Sequence, residues 1–483
     1  MNFSIVFKLL GNVLKYEAVL MVLSLIVSLI YREQQAAGFV VTIALLLAAG
    51  ILLSLIKPKE NTFRLKEGFA AVALAWFALA AFGALPFFLS GYFSNYIDCF
   101  FEAVSGFTTT GATILTEVEN LPRGILFWRS FTHWIGGMGV LVFMLALIPM
   151  GASSVNLLKA ESPGPNPGKF VPKLKETAKI TYMIYFVMTI VQIILLVIAG
   201  LPLFDATIHA LGSAGTGGFS NMNLSMGAYN NVAAEVITTV FMFLFGINFT
   251  LYFYLLRKDI KSFFKDEEFR LYLGIVLGAI TLITVNITGM YGGSVLEALR
   301  HASFQVSTII TTTGYSTTNF DLWPSFSKMI LVLLMLVGAC AGSTGGGIKV
   351  VRVLTMFKTI GTEISRLVHP RIFKPVRLNG KKVEEDILSR IFMFLFVYGA
   401  FFIIATLLVS VENKDMVSNA TAVVSALSNV GPGLAVVGPM GNFSSYSDFS
   451  TIVFSLCMIA GRLEFFPVLV LFAPSIWRKG AAT

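Results

Sequence analysis

The 483-residue chain carries little charge: Asp, Glu, Lys and Arg make up 13% of it, about half the share of a soluble domain. That scarcity excludes a cytosolic enzyme. Cysteine is also scarce, with Cys99, Cys340 and Cys457 far apart and no CxxC pair, which argues against a disulfide framework or a zinc site. The four histidines, His133, His209, His301 and His369, form no HExxH or other paired set and read as packing or helix-end residues. No cluster of polar catalytic residues gathers at one end of the apolar segments, so an enzyme is not expected. What is abundant is apolar: 56% of residues are hydrophobic and another 42 are glycine. Apolar runs of 18 or more residues recur, the length that crosses about 30 Å of hydrocarbon, and mark a polytopic membrane protein.

Ten apolar segments suit spans: 1–30, 37–56, 68–90, 124–150, 178–200, 232–256, 270–290, 326–357, 388–411 and 449–476. The first lies where a signal peptide would, but its apolar core is too long and no A-x-A site precedes Tyr31, so it reads as a retained span. Four shorter stretches, 96–108, 204–215, 295–310 and 415–428, suit re-entrant half-helices. Lys and Arg concentrate at 57–66, 159–179, 257–270, 358–390 and the tail, which puts both termini in the cytoplasm and the re-entrant segments on the outer side. The net charge of +9 is then mainly topology plus attraction to anionic lipid; nucleic-acid binding has no support beyond that charge.

Each short segment runs into a glycine-bearing tetrad: Thr109-Thr110-Gly111-Ala112, Thr216-Gly217-Gly218-Phe219, Thr312-Thr313-Gly314-Tyr315 and Gly431-Pro432-Gly433-Leu434. Taking Gly433 as the fourth repeat glycine, the spacings are 107, 96 and 119 residues, giving four parallel units of helix, half-helix, loop and second helix. An acidic residue opens each half-helix (Asp98, Asp205, Glu297, Asp415), and a glycine follows 26 to 28 residues after each loop (Gly137, Gly246, Gly342, Gly461). The expected fold is all-α, with two N-terminal helices at 1–60 and repeats at 67–150, 176–258, 268–360 and 386–478.

Non-helical backbone at membrane depth must be buried in protein or line a watery cavity. Four loops converging on one axis would present rings of carbonyl oxygens able to replace the hydration shell of a monovalent cation. Glycine suits such a strand, because carbonyls turned to one side require alternate residues at positive φ. In 326–357, the stretch from Gly338 to Lys349 includes Gly342, Gly345, Gly346 and Gly347 and must break its span in mid-membrane. It is not a phosphate loop, since Ile348 stands where lysine is needed. The alternative for it is a close-packing surface between helices. Arg462 lies too deep in its span to snorkel fully, which marks it as functional, with a structural ion pair as the alternative; Glu464, on another face, does not simply neutralise it.

These motifs, Thr108-Thr109-Thr110-Gly111-Ala112-Thr113, Gly217-Gly218-Phe219-Ser220, Thr312-Thr313-Gly314-Tyr315 and Asn429-Val430-Gly431-Pro432-Gly433-Leu434, resemble the Trk/Ktr/HKT superfamily of potassium transporters, and within it the Trk-type (TrkH-like) pore subunits. The resemblance covers essentially the whole chain, the two N-terminal helices included. It implies K+ as the transported ion, held at a filter of Thr109, Thr110, Gly111, Thr216, Gly217, Gly218, Thr312, Thr313, Gly314, Gly431, Pro432 and Gly433, and potassium over sodium because all four loop positions are glycine. It also implies a gate in which Gly342, Gly345, Gly346, Gly347 and Lys349 obstruct the pore and Arg462 contacts them. A homodimer in a bacterial inner membrane, on a cytosolic nucleotide-binding regulatory subunit with Rossmann-like domains, is implied as well; this chain has no nucleotide fingerprint of its own. A symporter coupled to protons or sodium is the alternative within transport, although parallel repeats without a carboxylate relay speak against it.

Overall fold

The computed structural model describes residues 2–56, 65–139, 174–370 and 375–474. Two helices, α1 (Phe3–Ile30) and α2 (Ala36–Ser54), form an N-terminal hairpin against the first repeat. Their crossing is close because glycines meet there: a Cβ on Gly11 would lie 2.7 Å from the Gly50 carbonyl oxygen. The first repeat follows with α3 (Leu65–Gly83), α4 (Leu85–Ser90), α5 (Tyr96–Phe107) and α6 (Arg123–Gly137). The second comprises α7 (Leu174–Ile198), α8 (Leu203–Gly215), α9 (Val232–Phe245) and α10 (Phe249–Leu256). After the short α11 (Ile260–Lys265), the third has α12 (Glu267–Ile287), α13 (Val295–Ile310), α14 (Ser325–Val337) and α15 (Val350–Val368). A two-residue hairpin, β1 (Arg377–Leu378) with β2 (Lys381–Lys382), precedes the fourth: α16 (Glu385–Val409), α17 (Met416–Ser428), α18 (Asp448–Arg462) and α19 (Phe466–Leu471).

The re-entrant segments are helices of 12, 13, 16 and 13 residues (α5, α8, α13, α17), close to the expected bounds and too short to cross. Asn95, Ser294 and Asp415 cap three of them with side-chain oxygens, and α8 starts after Pro202. The acidic marks occupy the third position of the first three helices, where a carboxylate meets the helix dipole, and the cap itself in the fourth. The Ser418 hydroxyl and N–H hold Asp415 below the usual carboxylate range.

All four re-entrant helices end alike. The residue just past each helix is followed, or is itself occupied, by a left-handed residue: Thr109, Thr216, Thr312 and Asn429 have φ of 56°, 56°, 59° and 55°. A long backbone bond then closes the turn, from Thr110 N–H to Ser105, Gly217 to Gly212, Thr313 to Thr308 and Val430 to Ser425, at 2.8–2.9 Å. This is the Schellman termination, which satisfies the last helical carbonyls. Threonine is a poor left-handed residue, at about 1–2 kcal/mol each, so positive φ in these loops is not reserved for glycine as the sequence suggested. The paired backbone bonds hold the strained residue in place.

Among the described residues only six helices are long and apolar enough to cross unbroken: Phe3–Ile30, Ala36–Ser54, Lys66–Ser90, Ala178–Ile198, Glu267–Tyr291 and Glu385–Glu412. Six of the ten expected spans are thus continuous; in the other four, 124–150, 232–256, 326–357 and 449–476, the first helix stops short of a crossing. The sequence suggested one broken second helix, but all four stop early, after 15, 14, 13 and 15 residues (α6, α9, α14, α18). Gly139 turns to φ 74° after α6, a 94° bend separates α9 from α10, Gly338 takes φ 71° after α14, and Glu464 and Phe465 take φ 56° and 65° after α18. Gly342 therefore belongs to a loop and not to a helix, correcting its place in the glycine series. Much of the expected stretches 124–150 and 159–179 lies outside the described residues.

Candidate functional site: a ring of four glycine loops

The four loops meet as neighbours in chain order. A Cβ on Gly111 would overlap the Gly217 carbonyl oxygen, one on Gly218 that of Thr313, and one on Gly314 that of Val430. The ring closes when a Cβ on Gly431 comes within 2.7 Å of the Thr110 carbonyl oxygen. Each contact joins one loop glycine to the residue just before the glycine of an adjacent loop. All four glycines have positive φ, at 78°, 79°, 87° and 98°.

This geometry corrects the fourth repeat. The residue equivalent to Gly111, Gly218 and Gly314 is Gly431, two positions after the left-handed Asn429, just as Gly111 is two after Thr109. The fourth tetrad is Asn429-Val430-Gly431-Pro432. Pro432 still belongs to it, with its Cδ 2.9 Å from where a Cβ of Gly314 would be. Gly433 does not: its N–H donates to the Val437 carbonyl at 2.7 Å in a turn behind the loop. Thr109, Thr110, Gly111, Thr216, Gly217, Gly218, Thr312, Thr313 and Gly314 all lie in the ring loops.

On the side where the loops return lies a cavity of about 150 Å³, lined by Gly111, Gly218, Gly314 and Gly431 together with Thr113, Ser220, Ser316 and Pro432. A buried ion pair braces its wall. Arg129 on α6 donates to Glu102 on α5 at 2.8 Å through Nε, and its Nη1 donates to the Ser220 carbonyl at 3.2 Å. Glu102 also accepts from the Thr113 hydroxyl at 3.0 Å and the Ile114 N–H at 3.2 Å, so the pair ties the first loop to the second. Sequence reading missed it, although the rule that singled out Arg462, an ionisable residue in an apolar segment, applies equally to both. Removing one partner of such a pair strands the other at about 3–5 kcal/mol. Glu102→Ala should therefore markedly lower the thermal unfolding midpoint in detergent, and Glu102→Leu with Arg129→Leu should recover part of it; equal midpoints for wild type and Glu102→Ala would refute the brace.

On the opposite side of the ring, the 338–349 loop packs against the ends of the re-entrant helices. Gly346 N–H donates to the Thr312 hydroxyl at 2.7 Å, and a Cβ on Gly345 would lie 2.9 Å from the Thr311 carbonyl oxygen. A Cβ on Gly346 would overlap the Ser428 carbonyl oxygen, and Gly347 abuts Gly338. Lys349, buried, curls back to donate to the Gly345 carbonyl. Glu268 on α12 accepts the N–H groups of Ala341 at 2.6 Å and Val351 at 3.1 Å, one near each end of the loop.

Arg462, the last residue of α18, crosses between repeats. Its Nη1 donates to the Thr344 carbonyl at 2.9 Å, and its Nη2 to the Gly136 and Gly137 carbonyls at 2.5 and 3.0 Å, where α6 breaks. The loop also meets the break after α9, through Cys340 N–H to Gly246 O at 3.1 Å and Phe249 N–H to Gly342 O at 3.0 Å. The breaks of all four second helices are thus joined through this loop and one guanidinium. Glu464 pairs with Arg352 on α15 instead, and Arg352 rests 4.0 Å over the Phe394 ring.

Of the histidines, His133 and His209 are fully buried, His301 is buried with Nδ1 3.0 Å from the Thr317 hydroxyl, and His369 ends α15. Among the described residues, no three His, Cys, Asp or Glu side chains cluster in a way that could hold a metal ion. The three cysteines are free and buried.

Comparison with known proteins gives one answer. The family described as TrkH, cation transport protein, matches residues 33–479. The chain is 37% identical to the Trk system potassium uptake protein TrkH of Salmonella typhimurium and 36% identical to that of Escherichia coli, covering 99% of this chain and 100% of each relative. Its fold is similar to the crystal structure of the potassium transporter TrkH from Vibrio parahaemolyticus, with a TM-score of 0.90, 32% identity, and coverage of 99% of this chain and 100% of that one. Full-length identity, whole-chain fold and four glycine loops agree: the chain belongs to the TrkH family of cation transport proteins.

Proposed function

We propose that this chain is the pore-forming subunit of a potassium uptake system, in which K+ is the transported ion and the four-loop ring selects it. The observation that carries this reading is the closed ring of contacts through Gly111, Gly218, Gly314 and Gly431. Carbonyls of four loops around one axis can replace the hydration shell of a monovalent cation, and a fixed ring spacing favours one ion size or field strength. The relatives' description as potassium uptake proteins supports K+ as that ion. The C-terminal ends of the re-entrant helices, with partial negative charge, would favour a cation just beneath the ring.

Beneath the ring, the glycine loop with Lys349 and Arg462 is the gate, obstructing the path while its hydrogen bonds hold. Uptake then needs only the membrane potential, worth about 2.3 kcal/mol per 100 mV, or roughly a fifty-fold concentration ratio. Both termini face the cytoplasm of a bacterial inner membrane, two copies form a homodimer, and a cytosolic nucleotide-binding subunit acts on the gate from that side. Described as parts of a Trk system, the relatives support a multi-component assembly.

Ion substitution in proteoliposomes tests the filter. Wild-type protein should accumulate K+ and Rb+ under an inside-negative potential and discriminate against Na+. Gly111→Ser introduces a Cβ at φ 78° that overlaps the second loop, and should lower the K+ over Na+ preference about tenfold or more. An unchanged preference in that variant would sink the filter assignment.

A further inference from the structure

The second loop differs from the other three. At the position before the ring glycine, the others carry Thr110, Thr313 and Val430, whereas the second carries Gly217. In the first and third loops these threonines bond back to Thr108 and Thr311 at 2.8 Å, which stiffens the strand from behind. The second loop lacks that support, and the space is filled from another repeat. A Cβ on Gly217 would overlap the His133 imidazole of α6.

His133 does more than fill volume. Nδ1 lies 2.8 Å from the Gly106 carbonyl near the end of the first pore helix, and Nε2 accepts the Phe219 N–H at 3.2 Å in the second loop. A carbonyl only accepts and an amide only donates, so both bonds form in the neutral Nδ1–H tautomer. The ring also lies on Phe219, with centroids 4.3 Å apart. Arg129, one helical turn earlier on the same face of α6, holds Phe219 from another side at 4.0 Å.

We propose that His133 is a positioning residue for ion selection, supplying from the first repeat the wall that Gly217 leaves open in the second filter loop. The inference rests on the filter reading above. It makes His133 and Gly217 a complementary pair: a side chain at 217 needs a smaller residue at 133.

The test reads the K+ over Na+ preference of purified, monodisperse variants in proteoliposomes. His133→Leu, which keeps bulk without the two hydrogen bonds, should lose about tenfold or more in preference, since both buried bonds go unmade. His133→Gln, whose amide can both donate and accept, should retain most of it. Gly217→Thr alone should abolish uptake, and Gly217→Thr with His133→Ala should restore uptake, with the preference still lowered by the two lost bonds. Equal preference in wild type and His133→Leu, or no recovery in the double variant, overturns the proposal. Gly111→Ser in the same assay separates the two readings. If it changes preference while the His133 variants do not, only the His133 role fails; if it changes nothing, the filter reading fails first.

Discussion

Gly431→Ala should all but abolish potassium-selective uptake, whereas Gly433→Ala, two residues on, should retain selectivity. The contrast follows from backbone geometry. Gly431 holds φ 98°, where an alanine costs about 1–2 kcal/mol before any contact is considered. Its Cβ would also sit 2.7 Å from the Thr110 carbonyl oxygen and 3.2 Å from the Gly111 carbonyl carbon. Both are backbone atoms of the adjoining loop and can move only by opening the ring. With strain and displacement together near 3 kcal/mol, a loss on the order of a hundred-fold is expected. At Gly433 the neighbours are the Val437 methyl at 2.8 Å, the Thr421 hydroxyl at 2.9 Å and the Thr421 carbonyl carbon at 3.1 Å, all behind the ring, so that relief there need not open it. Rubidium uptake with sodium competition measures both variants. Loss of selectivity in Gly433→Ala with preservation in Gly431→Ala would restore the register that spacing alone suggested.

Arg462→Ala should raise ion flux in the absence of any activating partner. The guanidinium holds three carbonyls, at Thr344, Gly136 and Gly137, and so fastens the glycine loop beneath the ring to the broken end of α6. Charge-assisted bonds contribute about 1.5–3 kcal/mol each, although water would replace part of that when the loop moves. Even a net 3 kcal/mol in favour of the obstructed state holds the open state more than a hundred-fold below it, so its removal should lift leak flux by one to two orders of magnitude. Arg462→Lys, with one point charge for a planar fork, should fall between the two. Flux from proteoliposomes without an added regulatory subunit is the measurement, and unchanged or reduced flux in the alanine variant would count against a gate role.

Much of this was legible before any coordinates. The short apolar segments, their acidic starts and the recurrent Thr-Gly signal located the pore helices to within a residue or two, because helix length and capping chemistry are local. The fourth register was harder to read, because Gly431-Pro432-Gly433 offers two glycines and counting from earlier repeats cannot choose between them. Asn429 held the clue: asparagine is a favoured left-handed residue, and the ring glycine follows the left-handed residue by two. The breaks after α6, α9 and α18 were hidden for a different reason. Apart from Asn248, Arg462 and Glu464 the residues on either side stay apolar, so averaged hydropathy sees one span where the backbone turns. The Glu102–Arg129 pair and the fit of His133 into Gly217 join residues 27 and 84 positions apart in sequence, and contacts of that range are fixed by tertiary packing rather than by local pattern.

A ring made by one chain has a genetic consequence that a ring of four identical subunits does not. A substitution in a homotetramer strikes every quadrant at once, while here it alters a single quadrant and leaves three intact. Each quadrant can therefore drift separately and be compensated by its neighbour, as at Gly217 and His133. Ion preference in such a chain can evolve in steps of one quarter.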